Sequence, residues 1–402
     1  MKPTVLFVDD EETILQALQR ALRPMAASWE LRFAHGGREA LDLCQRETLH
    51  AVVSDLRMPG MSGTELLAAV AQQQPLCARV LLSGHVDDGS VLNSLHVAHA
   101  CLMKPCRPTE LRAAIERSLA LRQLLSSPAL EAVWSRLPAQ PPLPERLGGL
   151  FSALADAAAP AARVVALVAG DEALALSVRG LANSPLFAPA RPIADTATEV
   201  GVVGPAHLRG LALFAAVAAV TAPQPASGLP ARLLRHSQEV ACLAARIMDD
   251  LAPDGRMSID LAITAGLVHD VGRLVLARLP DGAAAAGESV PADERVRRES
   301  AGLGGIGHAE VGARWLATWG LSDAVVETVA HHHAPGRLPA AATAPVVAVH
   351  VADALLRHPR GRCLAELPLL ETTWAASLPI DEHLPDWLEL RRRILEATQV
   401  SP

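Results

Sequence analysis

AVVSDLRMPGMSG, residues 51–63, opens as a β-branched run and closes that run on Asp55. Four more short runs surround it: VLFV (5–8), a weaker LRFA (31–34), RVLLS (79–83) and ACLM (100–103). Between them apolar residues recur at spacings of three and four: Ile14, Leu15, Leu18, Ala21 and Leu22, then Leu66, Leu67 and Val70, then Leu111, Ile115 and Leu119. Strand runs alternating with helical periods predict a doubly wound α/β unit, five parallel strands with helices on both faces.

In such a sheet, chemistry collects at the carboxyl ends of the strands. Asp9 and Asp10 follow the first run, Asp55 the third and Lys104 the fifth, while Ser83 ends the fourth. Three close carboxylates repel one another unless a cation lies among them, and Mg2+ takes a few carboxylate oxygens together with water and phosphate oxygens. A Mg2+ site on Asp9, Asp10 and Asp55 is expected. Phosphoryl transfer asks for an in-line nucleophile and positive charge on the moving group. Asp55 supplies the first, Mg2+ and Lys104 the second. Singly, an acid at a strand end is a loop residue or a helix cap; five ordered positions together carry the reading.

The same positions resemble the response-regulator receiver family. The acidic pair, the Asp followed by LRMPGMSG, the Ser after the fourth strand and Lys104-Pro105 stand in that family's order. The resemblance implies phosphorylation of Asp55 by a cognate sensor histidine kinase. It also implies that the Arg57 carbonyl joins the metal site and that Ser83 swings to the phosphoryl oxygen. Arg57 and His85 flank the reaction site as candidates for setting phosphoryl lifetime. One departure is Cys101, where receivers commonly carry a Tyr or Phe that rotates on activation.

Net charge is −7 and the sequence pI about 6.1, which argues against binding nucleic acid by phosphate neutralisation. The one basic run, Arg391 to Arg393, reads as a solvated helix face. Six cysteines without a Cys-x-x-Cys pair and an acidic start, MKPTVLFVDD, suggest a reduced, cytoplasmic protein. LALFAAVAAVTA from Leu211 is shorter than the roughly 20 residues a membrane span needs and reads as a core helix.

Beyond the α/β unit, strand signals fade and helical periods dominate, so the second half is expected to be all α-helical. Nine of the fifteen histidines lie beyond residue 235. Several fall in a recognisable order with two acids: His236, His269 beside Asp270, His308, the run His331 to His333, then Asp353 in VHVADALL. Imidazoles and carboxylates are the ligands a hydrolytic metal site uses.

This half resembles the HD superfamily and, more closely, its HDOD branch. The resemblance rests on the LPAQPPLP entry, Asp171 leading a helix that ends in Leu181-Ala182-Asn183-Ser184, and the VHDVG and HAEVG segments. It implies a helical signalling module acting on an unidentified downstream protein or through its own dimer, and leans away from an enzyme. The rival is the HD-GYP branch, which hydrolyses cyclic di-GMP at a multi-iron site. Arg232 stands where that branch has a Glu, Arg273 replaces a Lys, and Ala334-Pro335-Gly336 replaces Gly-Tyr-Pro in a chain without Tyr. An HD-type site holding Fe, Mn or Zn would use His236, His269, Asp270, His308, His332, His333 and Asp353. Otherwise these groups satisfy one another by hydrogen bonds.

The expected organisation is a receiver over 1–122, a proline-rich linker over 123–140, the HDOD domain over 141–357 and a helical extension over 358–402.

Overall fold

The computed structural model describes residues 2–74, 76–84, 98–156, 159–184, 187, 189–221, 228–252, 256–279, 292–338, 344–358 and 380–399. The chain divides into two compact units, Met1–Ser126 with Gly320–Ala324, and Ser127–Trp319 with Val325–Pro402.

In the first unit five strands, β1 (Thr4–Val8), β2 (Glu30–Ala34), β3 (Ala51–Asp55), β4 (Ala78–Ser83) and β5 (Ala100–Met103), form one sheet. Their order is β2-β1-β3-β4-β5 and every pair is parallel. Alternate side chains along each strand enter opposite cores, as the period of two requires. Leu6, Val8, Val52 and Leu81 pack with Ala40 and Cys44 of α2 (Gly37–Arg46) and Leu66, Leu67 and Val70 of α3 (Gly63–Gln73). Val5, Phe7, Val53, Val80 and Leu82 pack with Leu15 and Leu22 of α1 (Glu12–Leu22) and Leu111 and Ile115 of α4 (Pro108–Leu125). The doubly wound, flavodoxin-like arrangement expected from the sequence is the one observed.

Register then fixes the site. Val8 pairs with Ser54, Asp55 with Leu82 and Ser83 with Met103, so the carboxyl ends of β1, β3, β4 and β5 finish level. The order reverses between β1 and β3, where a ligand crevice opens in sheets of this kind. Gly63 follows because a Cβ there would strike the carbonyl oxygen of Asp55. Ser62 starts α3 with a capping box, its hydroxyl accepting from Glu65 N while the Glu65 carboxylate accepts from Ser62 N.

The described elements of the second unit are all helices. Within the stretch read as a linker, α5 (Pro128–Trp134) forms because Ser127 caps it and Pro128 occupies its first turn, where no amide donor is needed. This segment is fastened down. Trp134 lies against Trp315, Arg314 sits 4.6 Å over the Trp134 ring and 2.6 Å from Glu131, and Trp319 Nε1 donates to Pro141 O. Trp315 and Arg314 belong to α14 (His308–Thr318).

Helices α6 (Glu145–Ala155), α7 (Ala161–Ala169) and α8 (Glu172–Ala182) precede α9 (Thr196–Thr221). By length and composition alone α9 is apolar enough to cross a membrane. It is kinked at Gly204, with Pro205 next, and buries Leu208, Leu211, Leu213, Phe214 and Val217. After it come α10 (Leu229–Leu251), α11 (Arg256–Val268) and α12 (Val271–Leu276). Helix α9 packs on α11 and α12 as a core element, Thr264 Oγ1 donating to Ala206 O. Then come α13 (Ala292–Gly302), α14, α15 (Asp323–His331), α16 (Ala344–Arg357) and α17 (Ile380–Gln399). Trp387 of α17 is fully buried and donates to Asp250, so the C-terminal extension packs on the helical unit.

Candidate functional sites

At the carboxyl edge of the sheet, Lys104 Nζ lies 2.9 Å from Asp9 Oδ2 and 2.5 Å from Asp55 Oδ1. The backbone holds each acid in place: Glu11 N donates to Asp9 Oδ1 and Arg57 N to Asp55 Oδ2. Lys104 is positioned by its own amide, which donates to Ser83 O. Burial works against the Lys104 charge, but bonds to Asp55 and Asp9 outweigh it and its pKa is raised. Ser83 is fully buried, whereas Asp10 and Arg57 are exposed at the rim. His85 lies outside the described residues. Cys101 packs partly buried against the core beneath the crevice. Two carboxylates meeting one ammonium, with Asp10 adjacent, make a donor set that suits a hard dication such as Mg2+.

The second site gathers residues from six helices and the turns beside them. His236 comes from α10, His269 and Asp270 from the turn between α11 and α12, His308 from the start of α14, His332 and His333 from the turn just after α15, and Asp353 from α16. Gly272 allows this, since a Cβ there would collide with the carbonyl oxygen of His308. All seven residues named from the sequence converge. His236 Nε2 is 3.0 Å from Asp353 Oδ1, His308 Nε2 is 2.9 Å from Asp270 Oδ1, and His333 Nε2 is 3.0 Å from His308 Nε2.

Tautomers follow from the partners. His269 Nδ1 is 2.7 Å from Gly266 O and His332 Nδ1 is 2.7 Å from Val329 O. A carbonyl only accepts, so each Nδ1 carries its proton and each Nε2 offers a lone pair inward. Neither Nε2 has a hydrogen-bond partner; that of His269 faces Asp353 and Asp270 at 3.7 and 3.8 Å. Burial lowers the His269 pKa to about 4 and holds His332 well below the usual range. Inward lone pairs and carboxylates are the ligand types a divalent cation takes, and ligand atoms of His236, His269 and Asp270 lie within 4.8 Å of one another.

Three charged residues absent from the sequence-based set, or placed there only as departures, complete the cluster. Glu299 of α13 accepts from both the amide and Nδ1 of His308, so His308 has a carboxylate on each nitrogen. Burial opposes protonation of His308, but Glu299 leads the effects that raise its pKa. Arg273 Nε is 3.1 Å from Asp270 Oδ1, and Arg357 Nε is 2.6 Å from Asp353 Oδ1. Against the cost of burial, these guanidinium groups hold Asp270 and Asp353 well below the carboxylate range. His350 Nδ1 supports His332 through its carbonyl oxygen.

The LANS segment has a packing role: Asn183 accepts from Ile193 N and donates to Ile193 O, and Asp171 caps α8 through Leu174 N. Arg232 is exposed. Pro335–Arg337 forms a short 3-10 turn.

A five-stranded receiver-type unit followed by an HD-type helical unit defines a signalling class, and comparison with known proteins agrees. The response regulator receiver domain family matches residues 5–116 and the HDOD domain family residues 140–335. The chain thus carries a receiver domain of the kind found in response regulators, followed by an HDOD domain. It is 32% identical over 122 residues to the DNA-binding transcriptional regulator NtrC of Klebsiella pneumoniae, covering 30% of this chain and 26% of that one. It is 30% identical over 123 residues to the hydrogenase transcriptional regulatory protein HoxA of Bradyrhizobium diazoefficiens, covering 30% and 25%. The chain thus spans about a quarter of the length of these curated relatives. Among solved structures, the signal receiver domain of an HD domain-containing protein from Pseudomonas fluorescens Pf-5 is 33% identical, with a TM-score of 0.29, covering 31% of this chain and 98% of that one.

Proposed function

We propose that Asp55 accepts a phosphoryl group from a sensor histidine kinase and that this controls an output acting through protein contacts. The observation that carries the reading is Lys104 joining Asp9 and Asp55 in one crevice. In the transfer, an Asp55 oxygen bonds to phosphorus as the P–N bond of a ring-protonated phosphohistidine breaks, leaving an acyl phosphate and, with the proton kept on the ring, a neutral donor imidazole. Asp9, Asp10, Asp55 and the Arg57 carbonyl would hold Mg2+, which neutralises charge on the moving group. Ser83 and Lys104 would meet the phosphoryl oxygens, and Arg57 and His85 would set its lifetime. The receiver spans 1–122, the connector 123–140, the HDOD output 141–357 and the extension 358–402. Its partners are the kinase and a downstream protein, or a second copy of the chain. A phosphoryl mimic that left oligomeric state and partner binding unchanged would sink this reading.

A second reading is favoured by one observation, the unpartnered Nε2 atoms of His269 and His332. A bound Fe, Mn or Zn ion would supply Lewis-acid activation for hydrolysis of a phosphodiester such as a cyclic dinucleotide. Turnover lost in His269→Ala would establish it, and no turnover by metal-loaded protein would exclude it.

A further inference from the structure

Asp353 and Arg357 are four residues apart on α16 and therefore share one face. That face looks into the histidine cluster. The Arg357 side chain is only 6% exposed, its Nε 2.6 Å from Asp353 Oδ1 and one terminal nitrogen 3.7 Å from Asp270 Oδ1. Asp353 Oδ1 also meets His236 Nε2 and faces His269 Nε2. The oxygens that a cation would share with these imidazoles are thus the ones the guanidinium already engages.

Charge gives the same answer. Asp270, Asp353 and Glu299 face Arg273, Arg357 and a His308 whose two nitrogens both meet carboxylates. The two guanidinium groups thus already offset the Asp270 and Asp353 carboxylates that a cation would use. Adding a dication beside an arginine side chain only 6% exposed is opposed by repulsion that solvent screens weakly.

We propose that Arg357 is an internal cation standing in for a divalent metal in this cluster: it holds Asp353, reaches toward Asp270, and must be displaced before a metal binds. The proposal goes beyond the signalling reading and does not depend on Asp55 taking a phosphoryl group. It makes Arg357 a determinant of whether an HD-type cluster is a metal centre or a closed polar core.

The test is Zn2+ affinity of the full chain, measured by competition with a zinc-indicator dye in excess Mg2+, which occupies the receiver crevice and leaves Zn2+ for imidazole ligands. Arg357→Met removes the charge and keeps the length; it is expected to bind Zn2+ roughly 100-fold more tightly than wild type. Zn2+ should also raise its melting temperature. Arg357→Lys keeps a cation and should stay near wild type, and His269→Ala added to Arg357→Met should remove the gain. If folded Arg357→Met gained no affinity, the proposal would be overturned. Should that variant not fold, Arg357→Gln reads the same quantity, and wild type supplies an independent check. Wild-type Zn2+ affinity should be insensitive to His269→Ala; a large loss there would show that a metal already shares the site with Arg357.

Discussion

The Lys104 ammonium stands 2.5 Å from Asp55 Oδ1, carried there by the parallel pairing of β4 and β5 and by the bond from Lys104 N to Ser83 O. If Asp55 accepts the phosphoryl group as proposed, this cation lies where charge builds on the transferring group, and charge stabilisation is most of what such a protein contributes. Lys104→Met should therefore slow phosphorylation by acetyl phosphate by roughly 100-fold while leaving the receiver folded. Stopped-flow fluorescence or Phos-tag gels would measure it. A rate within twofold of wild type would remove Lys104 from the chemistry.

The connector is predicted to behave as part of the helical unit. Trp134 contacts Trp315 and carries the Arg314 guanidinium, while Gln140 Nε2 donates to Trp315 O. Trp134→Ala should lower the stability of the helical unit by about 2 kcal/mol and expose residues near 128–140 to protease. A free tether would be cut equally in wild type and variant, with no change in urea midpoint.

Acid should weaken the helical unit through His207. Burial lowers its pKa to about 4 from 6.5, with its ring edge-on to Phe187. The unfolded chain then binds more protons between pH 6.5 and 4. The stability His207 provides is complete above pH 6.5 and is lost as pH falls toward 4. The expected loss is at most about 2 kcal/mol between pH 6.5 and 5, less where solvent reaches the ring. His331, also lowered to about 4 by burial, adds a loss of the same sign. Urea melts of wild type and His207→Gln at the two pH values would show a shallower pH dependence in the variant; identical slopes would refute the assignment.

The strands were legible because strands buried on both faces are apolar through their centres, as in VLFV, the AVV of AVVS and the VLL of RVLLS. Helix α2 was not, because it buries little more than Ala40 and Cys44 among charged residues. Helix α5 was hidden by Pro128 and by the prolines that follow it, since Pro128 at a first helical turn starts a helix although proline elsewhere breaks one. In the cluster, residue types sufficed for the histidines and for Asp270 and Asp353. Glu299 escaped notice because it sits in the charged run DERVRRES and meets His308 only through the fold. Arg357 carried a readable signal, its spacing of four from Asp353, whose meaning needed the burial that the structure supplies.

The most direct test of the central claim is phosphate incorporation into the full-length chain incubated with Mg2+ and acetyl phosphate, read by intact mass and by acid and hydroxylamine lability. One phosphoryl group per chain, absent in Asp55→Asn and lost on chelating Mg2+, is the predicted result. No incorporation by folded protein, from acetyl phosphate or a phosphorylated histidine kinase, or incorporation that survives Asp55→Asn, would contradict it.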